Sequence, residues 1–348
     1  MDSKTTYVKK ETKNKIRVDY EGKLDFKDRL TKKLKESYTW IKVVINILRF
    51  ILMLGVSYVI IYPFITKIAG SFMTKEDIVD ATVSLIPKHF TLEIYSGIIT
   101  ENHYFQALFN TLMLSLLCAI FQTFIACLVG YGLAKFKFKG NKLVMITVIL
   151  TMIIPHSAMK LAFLQHFTNF DILKVIAWNY TGPIELILGD SLHLTDSYWP
   201  LVILSVFGLA FKNGLYIYLM RQFFKGVPDE LEESAYVDGS GTFRTFFQII
   251  LPLSVPMMIT IFLFSFSWQW TDEFYTTLFF FSDIDKIYLM PDIIGVPRSL
   301  RTEYAGQTLY YNVINNTAGM MAIAPLIILY LFCQRYLVQG IERSGLVG

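Results

Sequence analysis

The stretch DELEESAYVDGSGTFRTFFQIILPLSVP, residues 229–256, sets five acidic side chains, two glycines and the helix-breaking Pro252 between two long apolar segments. Pro228, just before it, suits the first turn of a helix, and Asp229 and Glu230 follow where negative charge meets the amino-terminal end of the helix dipole. Leu231, Ser234, Ala235 and Asp238 then share one face by i, i+3, i+4 spacing. Ser234 and Ala235 keep that face low, so another surface can approach closely. Gly239 can take positive φ and end the helix, after which Ser240 or Thr242 can cap a second one running from Phe243 to Pro252. The spacing predicts a short charged helix, a glycine elbow and a return leg into apolar sequence.

The flanking sequence identifies the solvent. Of 348 residues, 54% are hydrophobic and 16% aromatic, and the mean hydropathy is +0.46, more apolar than a soluble core requires. A membrane-crossing helix takes about 20 mostly apolar residues. Six segments qualify: 43–65, 106–134, 143–163, 199–220, 251–274 and 316–337. Lipid offers no partner to a bare backbone amide, so the fold class expected is an all-α integral membrane protein. Its six transmembrane helices would occupy residues 43–348, behind a basic tail of residues 1–42.

Charge sets the orientation. The formal net charge is only +4. Its excess lies mostly in the first forty or so residues, where Lys and Arg outnumber Asp and Glu roughly two to one. That pattern fits a cytoplasmic tail beside anionic lipid and argues against nucleic-acid binding, which spreads positive charge along a folded face. No short apolar core follows the first basic residues, so a cleavable signal peptide is not expected and the first span acts as the anchor. AKFKFKGNK, residues 134–142, carries four lysines and no acid. This loop and both termini are therefore expected in the cytoplasm, and so is the loop 221–250 that contains the quoted stretch. The connections expected outside, 66–105, 164–198 and 275–315, are long for mere links. Within them, residues 170–190 read as an interfacial helix or an ordered cap. Cys118, Cys127 and Cys333 sit in apolar segments without a CxxC pair, and read as small buried hydrophobes rather than disulfide or zinc ligands.

Glu233, Ser234 and Ala235, then Gly239, then Ile249, Leu251 and Pro252 follow the spacing of the EAA motif: E-A-A, three residues, G, nine residues, I-x-L-P. Serine in place of the middle alanine preserves small size. In this the chain resembles the permease subunits of ABC importers. NTLMLSLLCAIFQTFIACLVGYGLAKFKFKG (110–140) is similar to the second-helix block of carbohydrate permeases of the MalG type, and QRYLVQGIERSGLVG (334–348) to their ending. Longer second and third outside loops, and the absence of the usual lysine near the extreme C-terminus, depart from that pattern.

The resemblance implies a type I, MetI-like permease fold, multi-pass in a bacterial cytoplasmic membrane, with a tail at 338–348. It also implies partners: a second permease, two ABC ATPase subunits and an extracellular solute-binding protein that delivers a sugar or oligosaccharide. Leu231, Glu233, Ser234, Ala235, Asp238, Gly239, Ile249, Leu251 and Pro252 would form the ATPase-coupling set, with residues 228–237 seated in a groove of one ATPase. The sequence has no G-x-x-x-x-G-K-[ST] cradle, so ATP and Mg are expected on the partner subunits and no cofactor on this chain. Neither H-E-x-x-H nor G-x-S-x-G occurs, which argues against an enzyme. The alternatives are an ABC importer for another solute class, or a secondary transporter, which would call for paired broken helices or an internal repeat.

Candidates for the substrate path are Trp268, Trp270, Asp272 and Glu273, near the outer end of the fifth span. Aromatic faces and carboxylates suit sugar rings and hydroxyls, and equally suit an interfacial belt with its acids in water. Pro155, His156, Ser157 and Lys160 interrupt the third span, as a path-lining break or as a packing kink whose lysine reaches the interface. Lys212 and Asn213 should face protein or a wet cleft. Residues 283–315, with Arg298, Arg301, Glu303, Tyr304, Tyr310 and Tyr311, could meet the binding protein or form a self-packed cap.

Overall fold

The computed structural model describes residues 8–11, 17–20, 37–171, 183–188, 190–281 and 286–343. The chain divides into two compact units, Met1–Ile68 and Ala69–Gly348. In the first, β1 (Val8–Glu11) pairs antiparallel with β2 (Arg17–Tyr20), Val8 opposite Tyr20. This hairpin is the one sheet among the described residues of an otherwise helical chain. It is followed by α1 (Ser37–Gly70), long and apolar enough to cross a membrane.

The second unit holds the remaining helices. Two short ones, α2 (Lys75–Val79) and α3 (Glu93–Glu101), precede α4 (Tyr104–Lys135). Then come α5 (Asn141–Ile153), α6 (Lys160–Thr168), α7 (Pro183–Leu188), α8 (Trp199–Val206) and α9 (Asn213–Lys225). The chain continues through α10 (Glu230–Val237), α11 (Thr242–Thr245), α12 (Leu251–Trp270), α13 (Phe274–Phe279) and α14 (Gln307–Arg343).

The central helix is α4, which packs on α8, α9 and α12. Burial alone cannot hold helices together in lipid, so close approach through small residues matters. A Cβ added at Gly130 would lie 2.6 Å from Met220 Cβ and 3.0 Å from the Arg221 amide nitrogen of α9. At Gly214 it would lie 2.9 Å from the Val148 carbonyl oxygen of α5. Gly130→Leu is therefore expected to destabilise the bundle by about 1–3 kcal/mol, the usual cost of overpacking. A thermal-unfolding midpoint in detergent unchanged by that substitution would show that α4 and α9 are not so tightly apposed.

Among the described residues, four helices or helical runs are long and apolar enough to span: Trp40–Gly70, Tyr104–Lys135, Thr242–Trp270 and Gln307–Leu337. The third expected span is a pair, Asn141–Ile153 and His156–Thr168, bent by 94°. Pro155 causes the break. It has no N–H, and Ile154 before it is extended at ψ 119°. The fourth expected span is not one helix but α8 and α9, divided at residues 207–212. Gly208 and Lys212 both take positive φ, +73° and +65°. The freed backbone groups are reclaimed locally: Leu209 and Ala210 donate to the Leu204 carbonyl, and Asn213 to that of Ala210. Such a break is tolerated at membrane depth because its polar groups find partners within the protein. Cys118 and Cys127 are fully buried, as small hydrophobes, whereas Cys333 is only half-buried. Of the segment 170–190, most lies outside the described residues; α7 is the described helical part.

Candidate functional site

Residues 227–252 fold as the sequence spacing predicts in outline and differently in two details. Helix α10 starts at Glu230 with Asp229 at its N-cap, and stops at Gly239, whose φ is +80°. The stop is a Schellman turn: Ser240 N–H donates to the Ala235 carbonyl at 2.9 Å and Gly239 N–H to that of Tyr236 at 3.0 Å. Nothing lies within 4 Å of the position a Gly239 Cβ would occupy, so backbone conformation, not space, demands glycine there. The next helix is capped by neither Ser240 nor Thr242. Extended Gly241 occupies the N-cap without a side-chain bond, and α11 begins at Thr242.

The return leg then passes through one wide turn, Phe246–Ile250, in which Leu251 N–H donates to the Phe246 carbonyl five residues back. Pro252 explains it. Without an N–H it cannot serve the Gln248 carbonyl, and the ladder opens by one residue before α12. Phe246 and Ile250 are buried beside Tyr131 of α4 and Phe224 of α9, with the Tyr131 and Phe246 rings 4.9 Å apart. The later landmarks of the motif, Ile249 and Leu251, are partly buried against the same core.

What holds α10 in place is Lys135, the last residue of α4, which the sequence marked only as one of four loop lysines. Its side chain is 6% exposed. Nζ donates to Asp229 Oδ1 at 2.5 Å and to the Val227 carbonyl at 2.6 Å, and lies 3.8 Å from Glu232 Oε1. The bonded ammonium holds the Asp229 carboxyl below its ordinary range. Burial pushes that of Glu232 up, against the pull of Lys135. With Glu232 and Ala235 turned inward, Leu231, Glu233, Ser234, Tyr236 and Val237 are left exposed, Val237 at 87%. Asp238 is exposed too, so of the four residues expected to share one outer face only Ala235 is covered. Across the elbow the exposed surface continues at Phe243, 78% exposed. This is a helix tied down on its inner side, whose exposed surface combines apolar Leu231 and Val237, small Ser234 and the acids Glu230, Glu233 and Asp238.

Helix α12 connects that helix to a cavity at its far end, about 30 Å away at 1.5 Å per residue. The cavity, about 190 Å³, is lined among others by Gln122, Trp268, Gln269, Asp272 and Glu273. Gln122 ties three helices together at its floor: Nε2 donates to Ser205 Oγ and Oε1 accepts from Ser265 Oγ at 2.8 Å. Gln269 is 9% exposed, and its Nε2 and Asp272 Oδ2 have no hydrogen-bond partner. Those two groups supply a donor and an acceptor beside the Trp268 face, a combination suited to hydroxyls on a ring. Trp270 is placed elsewhere, buried with its Nε1–H donating to the Ala322 carbonyl. Pro155 and Ser157 do not line the cavity. Between them His156 hydrogen-bonds the Tyr275 hydroxyl, so the broken third span reaches the cavity wall through Tyr275. Lys212 Nζ stacks over the rings of Phe211 and Trp268, at 4.9 and 5.2 Å. Asn213 is fully buried.

The third long loop packs on its own chain. Tyr310 and Leu300 are buried with Ile94 and Ile98 of α3, Tyr311 Oη bonds Thr302, and Tyr304 Oη donates to the Lys75 carbonyl. Arg298, Arg301 and Glu303 remain exposed on this cap.

Residues 122–343 match the family described as binding-protein-dependent transport system inner membrane component. The polygalacturonan/rhamnogalacturonan transport system permease protein YtcP of Bacillus subtilis (strain 168) is 27% identical over 83% of this chain and 93% of its own. The maltodextrin transport system permease protein MalD of Streptococcus pneumoniae (strain ATCC BAA-255 / R6) is 27% identical over 86% and 94%. Among solved structures, a bacterial ABC transporter involved in the import of the acidic polysaccharide alginate superposes with a TM-score of 0.63 at 20% identity, covering 84% of this chain and 96% of that one. The charged helix seated at one end of α12 and the polar cavity at the other thus lie in a membrane protein that belongs to the family of binding-protein-dependent transport system inner membrane components.

Proposed function

We propose that the chain is the permease subunit of an ABC importer and carries a sugar or oligosaccharide handed over by an extracellular solute-binding protein. It pairs with a second permease, and ATP hydrolysis in two separate ATPase subunits drives it. ATP and Mg belong to those subunits; this chain binds neither and catalyses no reaction of its own. Its N- and C-termini are cytoplasmic, on the same side as α10. The observation that carries this reading is the exposed face of α10, with Glu233, Ser234 and Val237 outward while Lys135 pins the inner side.

A groove on the ATPase receives that face. Closure of the ATPase pair moves α10, and α12 passes the movement to the cavity wall at Trp268, Gln269 and Asp272 as one of two alternative arrangements of the bundle. The carbohydrate substrate is supported by the cavity's ring faces and unpartnered polar groups, and by the sugars named for the relatives. Glu233→Lys reverses the charge on the docking face without touching a buried group. The variant is expected to lose the ATPase subunits during purification and, with them, uptake that survives collapse of ion gradients but not ATP depletion. Uptake that follows the ion gradient instead would refute the reading.

A further inference from the structure

Beside the anchored Lys135, the turn between α4 and α5 forms a second feature that coupling does not use. Residues 136–142 fold against the last turns of α9 and enclose a cleft of about 630 Å³. Lys137, Lys139, Lys142, Arg221 and Lys225 line it, and no carboxylate does. Among the described residues none of the five forms an ion pair with an acid, and the buried Arg221 Nε has no hydrogen-bond partner. The turn itself is fixed: Gly140 takes φ +102°, and Asn141 Nδ2 donates to the Phe136 and Leu133 carbonyls. Five positive charges thus share one cleft, with only the Asp229 carboxylate among the described residues, already bonded to Lys135, acting on one of them, Lys137.

The surroundings indicate what neutralises them. Directly after the turn, α5 exposes Leu143, Ile146, Leu150 and Ile153, spaced three and four apart on one face. That stripe is what a helix shows to acyl chains, and it begins where the cations end. Phe136 and Phe138, both exposed, alternate with Lys137 and Lys139, so the turn itself presents rings and ammonium groups together. A soluble anion would use the charges and leave the stripe idle. A phospholipid uses both.

We propose that this cleft is a binding site for an anionic phospholipid, its phosphate among Arg221, Lys139, Lys142 and Lys225 and its chains along Leu143 and Ile146. Basic pockets at the edge of transmembrane bundles recognise such headgroups, each cation contributing about fivefold near an anionic surface. The site requires α5 to cross the membrane and is independent of the docking of α10.

The test uses the whole transporter, purified with its partner subunits and stripped of lipid in detergent. Phosphatidylglycerol and phosphatidylcholine with identical chains are titrated in turn and retention is read by native mass spectrometry. Preferential retention of phosphatidylglycerol is expected. Lys225→Gln should weaken it by about fivefold, and Lys139→Gln combined with Lys142→Gln and Lys225→Gln by on the order of a hundredfold. Equal retention of the two lipids, or a triple variant that binds like the wild type, would overturn the proposal. Binding of inorganic phosphate or glycerophosphate as tight as that of the lipid would assign the cleft to a soluble anion instead. Preferential retention that appears only after the ATPase subunits are removed would assign the cleft to a protein surface. The readout is lipid retention rather than uptake, so its failure is distinct from failure of the importer reading.

Discussion

Gly239→Val is expected to cut ATP-driven uptake by roughly tenfold or more while the protein still inserts, assembles and hydrolyses ATP, because the left-handed conformation it forbids costs an L residue about 1–2 kcal/mol. That cost is small against the stability of the bundle and large against the seating of one eight-residue helix. The Schellman turn at Gly239 and Ser240 sets the angle at which α10 meets the return leg, and a β-branched residue there forces the turn into another shape. No atom lies near enough to clash, which separates this prediction from ordinary overpacking. A series makes it specific. Gly239→Asn, which tolerates positive φ, should keep most of the uptake, Gly239→Ala less, and Gly239→Val least. Uptake and ATPase activity measured together in proteoliposomes give the coupling ratio. A valine variant that transports normally, or an asparagine variant as poor as valine, would show that the elbow is not what transmits force.

Lys135→Met should be as damaging by a different route. The ammonium donates to the Val227 carbonyl and the Asp229 carboxylate and lies 3.8 Å from the carboxylate of Glu232, which is turned into the protein. Without it Glu232 is a buried acid facing no cation, and α10 loses its tie to α4. We expect uptake to fall roughly tenfold or more, since removing one partner of a buried pair is far costlier than never having had it. Glu232→Gln added to Lys135→Met should recover part of the loss by removing the orphaned charge.

The pH dependence has a definite sign. A carboxyl raised above its unfolded pKa binds protons more readily in the folded protein, so its unfavourable charge is absent at low pH and felt as pH rises through the folded value. The uptake defect of Lys135→Met should therefore lessen as the cytoplasmic-side pH is lowered, and Glu232→Gln should abolish that dependence. A defect that neither responds to pH nor to Glu232→Gln would mean that Lys135 acts only by packing.

The parts of this protein that were legible in the sequence are those governed by local rules. The stop of α10 at Gly239 lies where the spacing put it, because a helix stop needs a residue free to take positive φ and only glycine offers it cheaply, whereas Ala235 turns inward instead of sharing the outer face with Ser234. The proline break after Ile154 was legible because Pro155 has no N–H and holds the residue before it extended. The division of the fourth span was not, since Gly208 and Lys212 look tolerable inside an apolar helix and only tertiary packing shows that both adopt positive φ. Pro252 could have signalled the wide turn before α12, because its missing N–H orphans the Gln248 carbonyl. Trp268 and Trp270 illustrate the remaining limit: two positions apart on a helix they point in different directions, one to the cavity and one to the core. Lys135 was read by its charge alone, and its role depends on Asp229 and Glu232, nearly a hundred residues away in sequence, arriving beside it.

The central claim is that the outer face of α10 touches an ATPase subunit on the cytoplasmic side. Ser234 is exposed on that face, so Ser234→Cys with Cys333→Ser provides a site-specific thiol there, Cys118 and Cys127 being buried. Photo-crosslinking from that thiol in intact membranes, read by the mass of the conjugate, should yield a covalent adduct with the nucleotide-hydrolysing subunit in the assembled transporter. Labelling of the same thiol by an impermeant reagent from the external side of intact cells, with no adduct formed, would contradict the account.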